Sequence, residues 1–534
     1  METQKSILEI CMKKGFLVDK EMLESLSVLD EESAKKLIDL LNNLKIKERV
    51  ITKTLFYKNI EKIREISGED KKIIEKFFIK LGYSHEEISK PKEDKKIEEE
   101  DGKVKVLSSP AFIPKKIEVQ DFVKYFRSRY EKIKKILQGR NLENLTSLRK
   151  IGNSKGNYSV IVGILDKKIT KNKNLIFEVE DMTGTARILV SKNKKDLFKK
   201  AKNVLVDEVV AFSVSGNSDW LFANDVIFPD CALPEKRRGK KDEIVAFISD
   251  IHAGSSMFLE ENFLRFIKWL NGVEGDEKHR ELARKVKYVF INGDLVDGIG
   301  HFPEQEKFLD IKDIKGQYEK VTSLLKLIRK DIKIIIGPGN HDAVWLGEPQ
   351  PIISEKWAPE LHKMENVVLV PNPALVEIDD GFKILMYHGF SLHGVIEEIP
   401  EIRLKYGHNS PTRVVKELLR ARHLSPMHGF SDYIPCEEDE LVISQVPDII
   451  TTADIHRSEV STYNNILLIA TSCWQSITPF QEKVGNHPDF CKVPLFNLKT
   501  REVKILDFFG EPENEIKENN LELKNKTIKN ENRN

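Results

Sequence analysis

Five short apolar segments in the second half of the chain each run into side chains that bind metal ions. The segments are residues 244–248, 288–292, 332–336, 382–386 and 448–452, and helical patterns at about 259–271 and 314–329 separate the first three. Strands that alternate with helices predict a parallel sheet with right-handed crossovers. Because sites in such sheets form at the carboxyl ends of the strands, we expect the polar residues that follow the segments to lie together.

The residues at these five ends offer oxygen and imidazole ligands. They are Asp250 and His252, Asp294 and Asp297, Asn340 to Asp342, His388, and Asp454 and His456. Each group by itself is also explained by turn chemistry or a polar strand cap, but five groups in order are not. The five cysteines form no Cys-x-x-Cys pair, so thiolate sites are not indicated. The ligand types suit two divalent ions, with Mn²⁺ foremost and Fe, Zn or Ni also compatible.

The chain is too long for one hydrophobic core, and its composition changes along its length. We predict a multidomain α+β protein whose segments are a helical docking domain at 1–82, a charged linker at 83–109, a basic helix and connector at 110–155, an OB-like β-barrel at 156–235, an α/β domain at 243–510 and a disordered tail at 511–534. The barrel prediction rests on five short alternating segments separated by turns. The barrel has no stripe of exposed aromatic residues, which favours a spacer role over nucleic-acid binding.

The basic helix at 119–139 has aromatic residues between lysines and arginines. Aromatic residues in such a setting can stack on bases. Their spacing also fits one buried helical face, and we favour core packing. The basic joint at 236–241 is compatible both with phosphate contact and with a solvated linker.

The sequence contains no apolar run long enough to cross a membrane and no secretory pattern at its amino end. We therefore expect a cytoplasmic, nucleoid-associated protein without a membrane partner. The net charge of +1 does not by itself point to nucleic acid.

The strand-end motifs together resemble those of the calcineurin-like metallophosphoesterases. Asp250-Ile-His252, Gly293-Asp-Leu-Val-Asp297, Gly339-Asn-His-Asp342, His388-Gly389 and Ala453-Asp-Ile-His456 stand in the order of that family's motifs. The resemblance implies an α/β/β/α sandwich of two sheets between helices. The surroundings, including Ser249-Asp-Ile-His-Ala-Gly-Ser255, Arg422-His-Leu-Ser-Pro426 and Trp474-Gln475, are similar to those of the archaeal family-D DNA polymerase small subunits.

The resemblance also implies roles for individual residues. Asp250, His252 and His456 would hold one metal ion, Asn340, His388 and Asp454 would hold the other, and Asp294 would bridge both. His341 would neutralise the transition state or protonate the leaving 3′-oxygen with help from Asp342, and Asp297 would orient a ligand. In that family the small subunit is the 3′-to-5′ proofreading exonuclease, and it is partnered by a large polymerase subunit.

One position departs from the family pattern, because Asp454 stands where the Gly-His-x-His motif has its first histidine. A carboxylate still ligates and favours harder ions, whereas a weakened second site would slow the enzyme. Two alternatives to the exonuclease remain, a non-catalytic scaffold subunit and a stand-alone metallophosphoesterase.

Two further predictions concern partners. Arg422, His423 and His393 are candidate DNA contacts for single-stranded 3′ ends or primer-template. Residues 502–509 resemble a sliding-clamp-binding box with Glu in place of Gln, and an ordinary last strand explains the same alternation.

Overall fold

A computed structural model describes two units of the chain, one within residues 1–100 and one within residues 101–534. In the first unit it describes residues 2–18, 22–23, 26–27, 34–35, 38–39 and 50–51, and in the second unit residues 104–108, 116–483, 487–510 and 517–521.

The first unit contains helix α1 (Glu2–Lys13), which buries Ile7 and Cys11. Strand β1 (Leu17–Val18) pairs in parallel with β2 (Val50–Ile51), a pairing that the helical prediction did not include. The rest of the predicted helical domain at 1–82 lies outside the described residues.

The second unit contains a closed five-stranded barrel in the region where one was predicted. Its strands, in the order β4-β5-β6-β8-β7, are β4 (Gly156–Ile169), β5 (Leu175–Asp181), β6 (Gly184–Val190), β7 (Val209–Gly216) and β8 (Leu221–Ile227). Helix α3 (Lys195–Lys202), which was not predicted, packs Leu197 and Ala201 into the same core. The assignment of this barrel to the OB type remains a prediction.

The basic helix α2 (Val119–Gln138) is held by its aromatic face. The Tyr125 ring is fully buried and stacks on Tyr433 with 5.0 Å between ring centroids. The Tyr130 hydroxyl donates to the carbonyl oxygen of Ile161 in the barrel at 3.0 Å. The core-packing interpretation of this helix is therefore confirmed.

The remainder of the second unit is a sandwich of two sheets. The larger sheet has the order β12-β11-β10-β9-β18-β19-β20, with β9 (Ile244–Ile248), β10 (Val286–Asn292), β11 (Lys333–Gly337), β12 (Val367–Leu369), β18 (Lys492–Asn497), β19 (Val503–Asp507) and β20 (Lys517–Leu521). The smaller sheet has the order β16-β17-β15-β14-β13-β3, with β3 (Lys105–Val106), β13 (Ala374–Ile378), β14 (Phe382–Met386), β15 (Ile449–Thr452), β16 (Glu459–Tyr463) and β17 (Ile466–Ala470).

Helices cover the two outer faces of this sandwich. They are α4 (Glu260–Leu270), α5 (Glu277–Arg284), α6 (Ile314–Leu325), α7 (Pro359–His362), α8 (Leu392–Glu398), α9 (Pro400–Lys405) and α10 (Pro411–Ala421). The short helix α11 (Pro479–Lys483) lies beside the strand ends, with Gln481 in contact with His456. Alternation along β9 explains the layers, because successive side chains point to opposite faces of a strand. Phe247 packs between the sheets, stacked on Phe290 at 5.5 Å, whereas Ala246 and Ile248 pack against the helices.

Two predicted segments are wrong in part. The charged linker at 83–109 contains β3, which pairs with β13 as an edge strand. The tail at 511–534 contains β20, which pairs antiparallel with β19. The basic joint at 236–241 contacts the sandwich, since Arg237 pairs with Asp448 at 3.2 Å.

The clamp-box interpretation of residues 502–509 also gives way to the strand interpretation. Val503–Asp507 form β19, and Phe508 is fully buried in the core. A segment that is paired on both edges does not present a free docking peptide. Among the described residues, no helix combines the length and the apolar character needed to cross a membrane.

Candidate metal centre

The carboxyl ends of β9, β10, β11, β14 and β15 meet at one edge of the sandwich, as their sequence predicted. They bring together the seven predicted ligands Asp250, His252, Asp294, Asn340, His388, Asp454 and His456. Asp294 lies in the middle, with Oδ2 at 3.4 Å from His388 Nε2 and 3.8 Å from His252 Nε2. A carboxylate between two imidazole groups is the geometry expected of a bridging ligand.

The other ligands divide into two groups on either side of Asp294. In the first group His456 Nε2 lies 3.2 Å from Asp250 Oδ1 and 3.3 Å from His252 Nε2. In the second group His388 Nε2 lies 2.9 Å from Asn340 Oδ1 and 3.9 Å from Asp454 Oδ1.

Two sets of potential ligand atoms are compact. Within each set the atoms lie within 4.8 Å of one another; the first set is Asp250, His252 and His456, and the second is Asp250, Asp294 and His388. Both sets are compact enough to surround a metal ion.

The polar atoms of the centre fit a bound cation. Asp250 Oδ1 is buried and accepts no hydrogen bond from the described residues, which is costly for a carboxylate oxygen. His388 Nδ1 is 2.8 Å from the Asn292 carbonyl oxygen, and His252 Nδ1 is 3.2 Å from Asp297 Oδ1. Partners on Nδ1 leave Nε2 as the nitrogen that faces the centre, as in metal-binding histidines.

Electrostatics keeps the central carboxylates ionised. Burial alone would raise the pKa of Asp294, but the neighbouring His388 and His341 hold that pKa well below its usual range. Burial likewise opposes ionisation of Asp454, yet its contact with His393 lowers the pKa of Asp454 to about 2. At neutral pH these two carboxylates are therefore ionised, which is the form that binds a metal ion.

The backbone of the centre adopts an uncommon conformation. Five of the seven ligands have left-handed φ angles, namely Asp250 (50°), His252 (51°), Asp294 (52°), Asp454 (65°) and His456 (57°). Such angles cost energy in residues other than glycine and concentrate at functional sites. Gly339 is required for close approach, because a Cβ there would collide with Asp294 and His388.

Asp297 lies beside His252 at the edge of the centre. Its two carboxylate oxygens accept hydrogen bonds from Gln305 and Gln475, both at 2.8 Å, while Oδ1 also faces His252. Sequence reasoning assigned no role to either glutamine. The Trp474-Gln475 pair was a signal for Gln475, whereas nothing in the sequence distinguished Gln305. Gln481, also missed, meets His456 Nδ1 at 3.0 Å.

His341 and Asp342 are neighbours in sequence but lie in different surroundings. The His341 N–H donates to Asp294 Oδ1 at 2.8 Å, and the ring nitrogen Nδ1 is 2.7 Å from the Asp297 carbonyl oxygen. Asp342 lies behind the loop, where it accepts from Gly339 N–H at 2.9 Å and from the Tyr318 hydroxyl at 3.0 Å. Burial and the charge of Asp294 raise the pKa of Asp342 to about 7. Asp342 thus holds the loop that carries His341.

Two of the three predicted DNA contacts are wrong. Arg422 is buried, with Nε donating to the Asp230 carbonyl oxygen at 2.8 Å. His423 is 1% exposed and its Nε2 meets Asp439 at 2.9 Å. Neither side chain reaches a ligand, because protein groups already occupy its polar atoms.

His393 is placed differently from those two residues. Its side chain is 47% exposed, and Nε2 lies 3.2 Å from Asp454 Oδ2. Its Nδ1 is 3.0 Å from His408 Nε2. His393 therefore belongs to the rim of the centre, although its sequence position lies outside every motif.

The centre opens into a cavity of 1290 Å³. The residues lining it include His252, Asp294, Asp297, His341, His393, Asp454 and His456, together with apolar residues of the loops that follow β10 and β11. The seven-ligand cluster is therefore open to a substrate from one side.

The two-sheet sandwich between helices, with these carboxylate and imidazole side chains at its strand ends, is the architecture that the strand-end motifs predicted. Residues 245–461 match the family model of the B-type subunits of DNA polymerases alpha and epsilon. The DNA polymerase II small subunit of Archaeoglobus fulgidus is 40% identical over 394 residues, which are 74% of this chain and 78% of that protein. The chain belongs to the archaeal family-D DNA polymerase small-subunit family.

Other small subunits give similar agreement. That of Methanothermobacter thermautotrophicus is 37% identical over 73% of this chain and 80% of its own length. That of Pyrococcus abyssi is 34% identical over 83% of this chain and 76% of its own length. A solved structure described as a novel archaeal phosphodiesterase aligns with 49% of this chain, at 14% identity and a TM-score of 0.25.

Proposed function

We propose that this chain is the small subunit of a heteromeric replicative DNA polymerase and works as its 3′-to-5′ proofreading exonuclease. The substrate would be the phosphodiester at a single-stranded or mismatched DNA 3′ end. The partner would be a large subunit that carries the polymerase activity. Such a chain works at DNA in the nucleoid region of the cytoplasm.

One observation carries this proposal. Side chains from five strand ends, distant in sequence, converge on Asp294 with ligand atoms within hydrogen-bonding or ion-pair distance, at the mouth of a large cavity. A scaffold has no need for buried carboxylates on left-handed backbones, or for an Asp250 oxygen that accepts no hydrogen bond from the described residues and faces another candidate ligand, His456.

The donor set would hold two divalent ions, with Asp250, His252 and His456 on one side, Asn340, His388 and Asp454 on the other, and Asp294 shared. Mn²⁺ is favoured because oxygen ligands are numerous and Asp454 adds a carboxylate, and Fe, Zn and Ni remain compatible. When bound, the ions would supply Lewis-acid activation and neutralise charge at the phosphodiester.

The protein's own groups then orient and protonate. Asp297, fixed by Gln305 and Gln475, holds the His252 ring in the orientation that turns Nε2 to the centre. The Asp297 carbonyl oxygen occupies His341 Nδ1, which leaves His341 Nε2 for the substrate. His341 is thus the candidate that neutralises the phosphate or protonates the leaving 3′-oxygen.

The test is hydrolysis of 5′-labelled single-stranded DNA by the purified chain with Mn²⁺, alone and with the large subunit. We expect shortening from the 3′ end, and a loss of about 10²–10⁴-fold in rate for His341→Ala. His279→Ala is the matched control, since His279 pairs with Asp276 on α5, outside the centre. It should keep the wild-type rate.

The outcomes separate the alternatives. If Mn²⁺ binds but DNA is not shortened, alone or with the large subunit, the chain is a scaffold. If a generic phosphomonoester is hydrolysed as fast as DNA, the chain is a stand-alone phosphoesterase. Co-purification of a large polymerase subunit with the full-length chain tests the partnership directly.

A further inference from the structure

The two loops that carry the polar centre also carry exposed apolar side chains. Ile299 follows Asp297 by two positions, and Leu346 follows His341 by five. Ile299 is 50% exposed, Leu346 is 54% exposed and the nearby Ile352 is 44% exposed. All three line the same cavity as the metal-ligand candidates, and we refer to these three residues as the apolar wall.

Aromatic residues continue this surface. Phe302, Trp345 and Trp357 also line the cavity and are half-buried. The Trp345 indole N–H donates to the Pro349 carbonyl oxygen at 2.9 Å, which fixes the ring. The cavity therefore has one polar, anionic end and one apolar, partly aromatic side.

The charge of the cavity is as informative as its apolar surface. Among the described residues that line it, none is lysine or arginine. Proteins that follow a nucleic-acid backbone, single- or double-stranded, do so with lysine and arginine side chains. A strand in this cavity would have its phosphate charge met only at the centre, and its remaining affinity would have to come from its bases.

We propose that the apolar wall is a binding subsite for the unpaired bases at the 3′ end of a DNA strand. This inference rests on the proposed function and adds to it the way in which the substrate is recognised. Base faces are flat and apolar, so they gain from contact with aliphatic and aromatic side chains irrespective of sequence. In a duplex the same faces are stacked on neighbouring base pairs, so the wall selects frayed or mismatched ends.

The size of the cavity supports more than one bound nucleotide. Pockets for drug-sized ligands span about 300–1,000 Å³, and this cavity measures 1290 Å³. A terminal nucleotide at the centre and a neighbouring base on the wall fit within that volume.

The test compares two short 5′-fluorescent single strands, one ending in ordinary nucleotides and one whose last nucleotides are abasic. Binding is measured by anisotropy with Mn²⁺ in a His341→Ala background, so that the strands stay intact. We expect the base-bearing strand to bind roughly five- to tenfold more tightly, which corresponds to burying roughly 40–55 Å² of apolar surface in total.

Substitution of the wall should remove that preference. In the double variant Leu346→Ser and Ile352→Ser the two strands should bind equally. Leu327→Ser is the matched control, because Leu327 is 53% exposed but does not line the cavity, and it should keep the preference.

The other outcomes either overturn the inference or separate it from the proposed function. Equal binding of both strands by the parent protein excludes a base subsite. If the double variant keeps the preference but no longer binds the large subunit, a protein covers the wall. Hydrolysis is measured with His341 intact. Equal rates for both strands would reject the subsite alone. A base preference in binding without any hydrolysis would reject the exonuclease and leave the subsite standing.

Discussion

At the scale of single residues, Asp454 is the most informative side chain of the centre. Where the related motif has a histidine, this carboxylate lies between two imidazole groups, 3.9 Å from His388 and 3.2 Å from His393. His393 in turn contacts His408 at 3.0 Å. We infer that His393 orients Asp454, because a partner on one oxygen of a ligating carboxylate fixes the direction of the other.

This inference predicts that His393→Ala weakens the second metal site. We expect about tenfold weaker binding of one of two Mn²⁺ ions, measured by titration calorimetry on the metal-free protein. In an Asp454→His background the same substitution should have little effect, because there is no carboxylate to orient. An equal loss in both backgrounds would show that His393 acts on the fold and not through Asp454.

At the scale of secondary-structure elements, helix α2 is fixed to the sandwich by a buried ion pair. Arg129 Nε lies 2.7 Å from Asp439 Oδ2, and the same guanidinium donates to the Pro426 carbonyl oxygen at 2.8 Å. Burial would raise the pKa of Asp439, but His423 and Arg129 hold it well below its usual range. The pair therefore stays charged inside the protein, and each partner depends on the other.

Removing one partner of this pair should be costly. Arg129→Met is expected to destabilise the second unit by about 3–5 kcal/mol in urea unfolding, since Asp439 would remain buried without its cation. The double variant with Asp439→Leu should recover only part of that loss, because it also removes the acceptor of the buried His423 Nε2. Lys134→Met is the control, because the Lys134 pair with Glu131 is partly exposed to solvent and contributes below about 1 kcal/mol. A small loss in the Arg129 single variant would contradict this view of the helix.

At the scale of the second unit, the barrel and the sandwich meet at a buried carboxyl group. Glu208 precedes β7 of the barrel, and its Oε1 lies 3.6 Å from Arg420 of α10. Neither carboxyl oxygen of Glu208 has a hydrogen bond among the described residues. Burial raises the pKa of Glu208 to about 7, although Arg420 partly offsets the rise and Glu417 adds to it.

The carboxyl group of Glu208 should make the stability of the second unit fall as pH rises. The folded pKa of about 7 lies above the ordinary value of 4.5, so the folded state binds the extra proton between those values. The contribution of Glu208 to the free energy of unfolding is greatest below about pH 4.5. It decreases by about 3 kcal/mol up to pH 7 and is constant above that pH. Glu208→Gln should flatten this slope and be more stable at pH 8, as measured by thermal melting across the range. Burial also raises the pKa values of Asp342 and Glu348 to about 7, so part of the slope remains in this variant. The exposed Glu180→Gln should leave the profile unchanged, and an unchanged profile in Glu208→Gln would assign the slope to those other groups.

Much of the fold was predictable because its signals are local. The apolar runs at Ile244–Ile248, Val286–Asn292 and Lys333–Gly337 are buried on both faces, and the strand-end residues after them were recognisable as ligand types. The polar segment Lys517–Leu521 gave no such signal, since it pairs with β19 through its backbone. Gln305, a partner of Asp297, was equally hidden, and the contacts of Gln475 with Asp297 and of His393 with Asp454 were not predicted, because these side chains come from other elements.

The sequence alone determined which residues end the central strands. It also determined that these residues share one edge of the sheet, because strand periodicity and crossover handedness follow from local sterics. Only the tertiary structure decided which side chains surround those ends. It buried Arg422 and His423, set His393 against Asp454 and placed an apolar wall beside the centre. Such contacts depend on the packing of elements far apart in the chain, which no short pattern encodes.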